Sequence, residues 1–177
     1  DLNGNLKTHT DRKNQIFTFT YDVANRLTQK EFPAAPGTPG NTIVSFGYDN
    51  NQNGNLKDDN DNLAKVTSPD AVLTYVYDGF DQLSTAKTTG SPNQPDVTIT
   101  YAYDKNGNRL TMSAKQNPTN TTITSLSYVP DNLNRLDKFT NTLANQLIDL
   151  THDVLSRRKQ VDFANQTRTV TTYNTAS

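Results

Sequence analysis

Apolar and polar residues alternate in short runs along the whole chain. In five of these runs the apolar residues recur at every second position: Phe17 to Tyr21, Val44 to Tyr48, Leu73 to Tyr77, Val97 to Tyr103 and Ile148 to His152. A period of two places successive side chains on opposite sides of a β-strand. The intervening positions are largely Thr or Ser, which suit a solvated face. The pattern therefore predicts strands with one apolar face and one polar face.

An aromatic residue recurs through the chain and is usually followed by an acid or an amide. Seven positions carry it, at spacings of 27, 29, 26, 25, 24 and 21 residues: Tyr21, Tyr48, Tyr77, Tyr103, Tyr128, His152 and Tyr173. A leucine follows five of these aromatics after six to eight residues: Leu27, Leu56, Leu83, Leu110 and Leu136. The residues between aromatic and leucine are rich in Asp, Asn and Gly, which form tight turns. Each repeat is therefore predicted to form a strand, a turn and a second strand.

The repeats predict an all-β fold, an array of about six or seven antiparallel hairpins that form one continuous, curved sheet. A single hairpin cannot bury its apolar face, so we expect the tyrosines and leucines to pack between neighbouring hairpins. One array covers residues 1–177, with repeats near 1–21, 22–48, 49–77, 78–103, 104–128, 129–152 and 153–173. Residues 3–6 match the tail of an earlier repeat. We therefore expect the chain to be a fragment of a longer array.

The amino-acid composition favours strands and makes some classes of partner, such as nucleic acid, unfavourable. The chain has 27 Thr and 22 Asn against a single Glu, which disfavours helices. The formal net charge is -1, so no strong field would attract nucleic acid. No stretch approaches the roughly 18 apolar residues of a membrane helix, so we expect no membrane insertion by this fragment. The absence of Cys excludes disulfides and thiolate chemistry.

The residue types needed for catalysis are not brought together by any motif. His9 lies in a polar run and His152 occupies an aromatic position of the repeat, so neither is an obvious base for a Ser-His-Asp triad. Paired carboxylates could support glycoside hydrolysis. Most Asp residues, however, lie in predicted turns, where a carboxylate accepts backbone N–H groups. We predict no enzymatic activity and no organic cofactor.

Oxygen ligands for a metal ion alternate in one segment. Asp49, Asn51, Asn53 and Asn55 are spaced like the first half of an EF-hand calcium loop, with Gly54 in a position that allows a sharp turn. The twelfth position holds Asn60, where such loops carry a bidentate Glu. Two interpretations follow: a calcium site, or a polar turn with an insertion.

Three runs carry a resemblance to a known family: YDVANRL at 21–27, YDGFDQL at 77–83 and YDKNGNRL at 103–110. They resemble the YD repeat of the Rhs (rearrangement hotspot) family, which is shared with toxin-complex shell proteins and teneurins. The resemblance covers nearly the whole chain but departs from the pattern after Tyr128 and at His152. It implies a strip of hairpins that spirals into a hollow shell, which in several members encloses a toxic C-terminal polypeptide. The Asp-Pro-x-Gly signature of the family's self-cleaving segment does not occur here.

The resemblance implies a structural function for the chain. It would form the wall of an extracellular or cell-surface shell, of bacterial origin, with neighbouring repeats and an enclosed C-terminal toxin as partners. One alternative is a carbohydrate- or receptor-binding adhesion module that contacts surface glycans, and another is an extracellular fibre. The natural stacking platforms for a sugar would be Tyr75, Tyr77, Tyr101 and Tyr103. Their alternation with apolar residues favours a packed sheet face instead.

Overall fold

The structure is a computed structural model, and it describes residues 1–34, 40–49, 61–92 and 94–174. Within these residues the chain forms strands and turns, and no helix long and apolar enough to cross a membrane occurs among them. The strands are β1 (Thr8–Thr10), β2 (Ile16–Tyr21), β3 (Leu27–Phe32), β4 (Thr42–Tyr48), β5 (Leu63–Thr67), β6 (Val72–Tyr77), β7 (Leu83–Thr89), β8 (Asp96–Tyr103), β9 (Arg109–Asn117), β10 (Thr121–Pro130), β11 (Leu136–Asn141), β12 (Gln146–His152), β13 (Arg158–Phe163) and β14 (Arg168–Val170). The all-β prediction is confirmed.

The chain forms two compact units, Asp1–Asp96 and Val97–Ser177. The first unit contains β1 to β7, and each strand pairs antiparallel with the next one in the sequence. The second contains β9 to β14, paired in the same way, together with nearly all of β8. Each unit is thus a run of successive antiparallel hairpins, as the repeat pattern predicted.

Strand register separates an aromatic face from a polar face in each unit. Residues directly opposite one another on paired strands share a face. In the second unit one apolar row crosses four strands: Tyr128, Phe139, Ile148 and Phe163. A neighbouring row on the other face is charged: Lys138, Asp149, Asp162 and Arg168. In the first unit the polar row Lys65, Thr74 and Lys87 lies next to the apolar pair Val66 and Leu73.

Few side chains are fully covered. Among the described residues only Ala114 and Val161 form a buried apolar core. The chain exposes 12398 Å², whereas a globular protein of 19.7 kDa exposes about 8600 Å². Most of the aromatic face is therefore only half-buried, because within each unit the sheet has no second layer against it.

Candidate functional site at the Asp-turn edge

Five hairpin turns share one geometry, and we call them the Asp turns because each begins at the Asp after a repeat aromatic or its equivalent: Asp22, Asp78, Asp104, Asp131 and Asp153. In the first, the N–H of Asp22 donates to the Arg26 carbonyl (3.0 Å) and that of Asn25 to the Asp22 carbonyl (3.1 Å). Asp22 Oδ1 accepts the N–H groups of Ala24 and Arg26, both at 2.9 Å. The other four turns repeat these contacts at 2.8 to 3.2 Å. The carboxylate thus satisfies turn donors, which explains Asp at this position.

The fourth residue of each Asp turn has a left-handed backbone. Its φ is 60° to 85° in the five turns, where the residues are Asn25, Asp81, Gly107, Asn134 and Ser156. Gly, Asn and Asp tolerate this conformation best, which accounts for the composition of the turns. A register shift then places the aromatic opposite the leucine, as in the pairs Tyr21 with Leu27 and Tyr77 with Leu83. The regular spacing of aromatic and leucine is therefore a property of the turn.

The turn after Tyr48 keeps this frame around an insertion. The N–H of Asp49 donates to the Asn62 carbonyl (2.9 Å), and Asp61 has the left-handed φ of 62°. Tyr48 lies opposite Leu63, as Tyr21 lies opposite Leu27. Leu63 was not predicted as a repeat leucine, although Asp61, Asn62 and Leu63 follow the same order as residues 25–27: an acid or amide, a polar residue and a leucine.

Four of the predicted tyrosines lie at equivalent positions, each directly before the Asp that begins a turn: Tyr21, Tyr48, Tyr77 and Tyr103. Tyr128 does not, because Pro130 precedes Asp131 and lies opposite Leu136, whereas Tyr128 lies two residues earlier, opposite Phe139. All five tyrosines are half-buried, as are Leu27, Leu83 and Leu110. Leu136 is more exposed, and Leu56 lies outside the described residues. His152 takes the aromatic position and lies opposite Arg158.

The predicted calcium ligands are only partly described. Asp49 begins the inserted turn, and Asn51, Asn53 and Asn55 lie outside the described residues. In the described parts of the chain no three His, Cys, Asp or Glu side chains form a group that could hold a metal ion. The calcium site stays a prediction.

Tyrosine hydroxyl groups join consecutive repeats, where a repeat is counted by its hairpin: the strand that ends at the aromatic residue, the turn, and the strand that follows the turn. The hydroxyl of Tyr21 donates to the carbonyl of Leu6 (3.1 Å), Tyr48 to Leu27 (3.0 Å) and Tyr77 to Leu63 (3.0 Å). Tyr173 donates in the same way to the carbonyl of Arg158 (2.8 Å), which replaces leucine in its repeat. The acceptor belongs to the preceding repeat each time. The repeat tyrosine is therefore a link between hairpins as well as an apolar side chain.

An arginine at the fifth position of an Asp turn lies over the tyrosine of the next repeat. Arg26 lies 4.6 Å from the ring centroid of Tyr48, and Arg157 lies 4.2 Å from that of Tyr173. These distances fit cation–π contacts. The same arginines pair with the Asp of their own turn: Arg26 Nε lies 2.7 Å from Asp22 Oδ2, and Arg157 Nε lies 2.8 Å from Asp153 Oδ2. One guanidinium thus connects its own turn with the following repeat.

These hydrogen bonds favour the charged form of the turn carboxylates. Side-chain and backbone donors of Arg135 lower the pKa of Asp131 to about 2. The pKa of Asp104 is lowered chiefly by the side chain of Asn108. For Asp153, partial burial acts to raise the pKa, but hydrogen bonds from Arg157 outweigh it and the pKa is lowered. The Asp turns are therefore built for an ionised carboxylate.

Side chains also connect one Asp turn directly with the next. Residues 1–6 form the same frame, and Asn3 and Asn5 both donate to Asn25 Oδ1, at 3.0 and 2.8 Å. Asn106 and Asn108 donate to Asn134 Oδ1 in the same manner, at 2.9 and 2.8 Å. Three further contacts follow the rule with other residue types: Arg26 with Asp61, Asn62 with Asp81, and Arg135 with Ser156. The fourth residue of one turn accepts from the third or fifth residue of the turn before.

Shallow hollows lie beside the Asp turns. One, of about 340 Å³, is lined by Tyr103, Asn108, Arg109, Tyr128, Pro130, Asn134 and Leu136. Another, of about 410 Å³, includes Arg157 and Tyr173. Arg109 lies 4.5 Å from the Tyr128 centroid, so in both hollows a guanidinium covers one face of the tyrosine. A sugar could not stack on that covered face. The contacts of these tyrosines are therefore better explained as links within the repeat array.

A sequence comparison identifies the repeat. Residues 1–31 match the family model described as RHS Repeat. They include the complete turn at Asp22, whose hydrogen bonds and left-handed fourth residue recur down the chain. Residues 1–31 are thus similar to an RHS repeat. No curated protein sequence matches the chain.

Solved structures with the same fold come from Tc toxins. The crystal structure of TcdB2-TccC3-TEV matches 92% of the chain with a TM-score of 0.69 and 17% identity. The Photorhabdus luminescens Tc holotoxin pore matches 96% of it with a TM-score of 0.71 and 18% identity. The chain spans 9% of each of those chains. At this identity the likeness establishes the fold. The chain is therefore a repeat array with the fold of those structures.

Proposed function

We propose that this chain is a segment of the wall of a secreted shell that encloses a toxin polypeptide. The observation that carries the proposal is the set of repeated links between consecutive RHS repeats. The hydroxyl of Tyr48 donates to the repeat before it, and Asn25 Oδ1 accepts donors from the turn before it. Both contacts recur in the later repeats.

Such links suit a wall because they extend without a fixed end. Stability in a repeat array comes from each repeat and its interfaces with its two neighbours, so further hairpins can be added by the same contacts. A sheet one layer thick also presents two different faces. Here one face carries aromatic rows and the other carries polar and charged rows. An enclosing wall needs this division, since one face meets the contents and the other meets the solvent.

The likeness in fold to Tc toxin structures supports a toxin setting. The crystal structure of TcdB2-TccC3-Cdc42 and the holotoxin pore of Photorhabdus luminescens both match this chain with a TM-score of 0.71, and the chain spans 9% of each. We therefore assign to this chain the role of one segment in a much longer wall. The proposal predicts that the natural polypeptide containing these repeats holds a segment sheltered from solvent.

Protease protection tests the proposal. The natural polypeptide that contains this chain would be treated with a nonspecific protease, and the digest would be followed by mass spectrometry. We expect a segment outside the RHS repeats to resist digestion, and to become sensitive when Asp131→Ala and Asp153→Ala weaken two adjacent turns. Lys105→Ala, at an exposed turn position, is the control and should leave protection intact. Equal digestion of all segments in the unmodified protein would contradict the proposal.

A further inference from the structure

The Asn-Gly sequence occurs twice among the described residues, each time at the third and fourth positions of a turn. One pair, at residues 3–4, belongs to the turn formed by residues 1–6, and the other, at residues 106–107, belongs to the turn that begins at Asp104. A third pair, at residues 53–54, lies outside the described residues. Gly suits the fourth position because it adopts a left-handed backbone without strain. The same order of residues also has a chemical reactivity of its own.

An asparagine followed by glycine can lose its side-chain amide without an enzyme. The backbone nitrogen of Gly107 would attack Cγ of Asn106, and the Cγ–Nδ2 bond would break. The leaving nitrogen takes up the proton of the glycine N–H and departs as ammonia, which leaves a succinimide ring. Water then opens the ring at either carbonyl, so position 106 becomes aspartate or isoaspartate. Glycine favours the attack because it has no Cβ to hinder the approach of its nitrogen.

The turn leaves the pair at residues 106–107 open to water, since both residues are exposed. Two hydrogen bonds oppose the attack. Asn106 Nδ2 donates to Asn134 Oδ1 at 2.9 Å, and the N–H of Gly107 donates to the Asp104 carbonyl at 3.2 Å. If one or both must break first, the reaction is slower than in an unfolded chain by roughly five- to thirtyfold. The fold therefore slows the reaction without preventing it.

Other turn asparagines provide a comparison within the chain. Asn25 and Asn134 are exposed at the fourth position of their turns, and an arginine follows each of them. The side chain of that arginine hinders the approach of its backbone nitrogen to the asparagine. Exposure to water is thus shared by all four residues, and the following glycine distinguishes Asn3 and Asn106 from the other two.

The amide of Asn106 joins its turn to the next one. Asn106 and Asn108 both donate to Asn134 Oδ1, at 2.9 and 2.8 Å. A carboxylate only accepts hydrogen bonds, so an aspartate at position 106 would place one acceptor against another. Rotating the Asn134 amide would supply a donor, but the contact from Asn108 would then be lost. Asn3 has the same relation to Asn25 Oδ1, at 3.0 Å.

We infer that Asn3 and Asn106 are sites of spontaneous deamidation, and that the modification breaks the side-chain link between one turn and the next. Isoaspartate acts more strongly than aspartate, because it adds an atom to the backbone inside a closed turn. At position 106 that turn is closed by the N–H of Asn108, which donates to Asp104 Oδ1 at 2.8 Å. The link between these turns thus has a limited chemical lifetime.

Peptide mapping of the full 177-residue chain tests the reaction. The folded chain, and the same chain unfolded in urea, would be incubated at mildly alkaline pH and sampled over time. Mass spectrometry measures the conversion of each asparagine, and an isoaspartyl methyltransferase assay detects isoaspartate. In the folded chain we expect Asn3 and Asn106 to convert at least about tenfold faster than Asn25 and Asn134. Equal rates at the four residues would overturn the inference.

The variant Asn106→Asp, which carries one of the two products, tests the effect on the link. We expect a fall in Tm of roughly 2 to 4 °C, from the loss of one hydrogen bond between turns. Amide exchange should become faster in the turn at residues 131–135. Lys105→Ala, at the neighbouring exposed position, is the matched control and should change neither quantity. If Asn106→Asp behaves like this control, the modification does not break the link and the inference fails.

Discussion

The hydroxyl of Tyr77 offers a sharp test of the links between RHS repeats. It donates to the carbonyl of Leu63 at 3.0 Å in a half-buried setting. Tyr75 lies two residues earlier on β6, on the same face, and its hydroxyl makes no hydrogen bond to another described residue. Tyr77→Phe removes one oxygen and the link, whereas Tyr75→Phe removes one oxygen alone. Comparing the two variants therefore separates the effect of the hydrogen bond from the effect of removing a hydroxyl group from the ring.

We expect Tyr77→Phe to lower the free energy of unfolding by about 1 kcal/mol, the usual net value of a hydrogen bond. For a chain of this length that loss corresponds to a fall in Tm of roughly 2 to 4 °C. Tyr75→Phe should change stability by less than about 0.5 kcal/mol. Urea unfolding followed by far-UV circular dichroism measures the difference. Because repeat arrays can depart from two-state unfolding, amide exchange in β5 and β6 should be measured as well.

Alkaline pH provides an independent check on the same residue. Burial raises the pKa of Tyr77, and the nearby charge of Asp49 adds to the effect. The folded state therefore favours the neutral phenol, and its stabilising contribution is complete below the ordinary tyrosine pKa of about 10. That contribution is lost as the pH rises through the folded pKa. Tyr77→Phe should flatten this part of the stability profile. Equal effects of Tyr77→Phe and Tyr75→Phe in both assays would refute the link.

Three further predictions concern the turns. Asp131 has a folded pKa of about 2, below the value of about 3.9 expected when unfolded, so its stabilising effect is present above pH 4 and lost as pH falls towards 2. Asp131→Asn should make the acid limb of urea midpoints shallower, and an unchanged limb would contradict the turn assignment. Asn25→Val should destabilise the chain by about 1 to 2 kcal/mol because a β-branched residue disfavours the φ of 63°. Asn25→Gly should cost less in the same thermal melts, and the reverse order would contradict the geometry. The calcium hypothesis predicts that millimolar calcium raises the Tm of the chain but not that of Asp49→Ala, and no rise in the unmodified chain would exclude it.

The repeat could be recognised from sequence because its signals are local. A period of two along Phe17, Phe19 and Tyr21 fixes which side chains share a face of β2, and the strand itself obeys that rule. The Asp after the aromatic belongs to a turn closed within five residues. Because the signal is local, it failed where the turn after Asp49 contains an insertion, and Leu56 was predicted as the repeat leucine. A leucine at the usual distance cannot be told from one that follows an insertion until strand pairing places Leu63 opposite Tyr48.

The sequence pattern did not predict which residues make contacts between repeats. The predicted packing of tyrosines between hairpins did not specify that Tyr48 donates to Leu27 or that Arg26 covers its ring. Those partners are 21 and 22 residues apart, and their meeting depends on the register between hairpins.

The sequence by itself determined the strands, their apolar and polar faces and the frame of the turns, because each depends on neighbouring residues and backbone preferences. The tertiary structure decided which groups join one repeat to the next. It also decided that Val23 and Val154 lie uncovered in turns while Val44 and Val66 are half-buried in strands. Exposure depends on where hairpins stack, and a valine in a turn has the same local sequence signal whether or not another surface covers it.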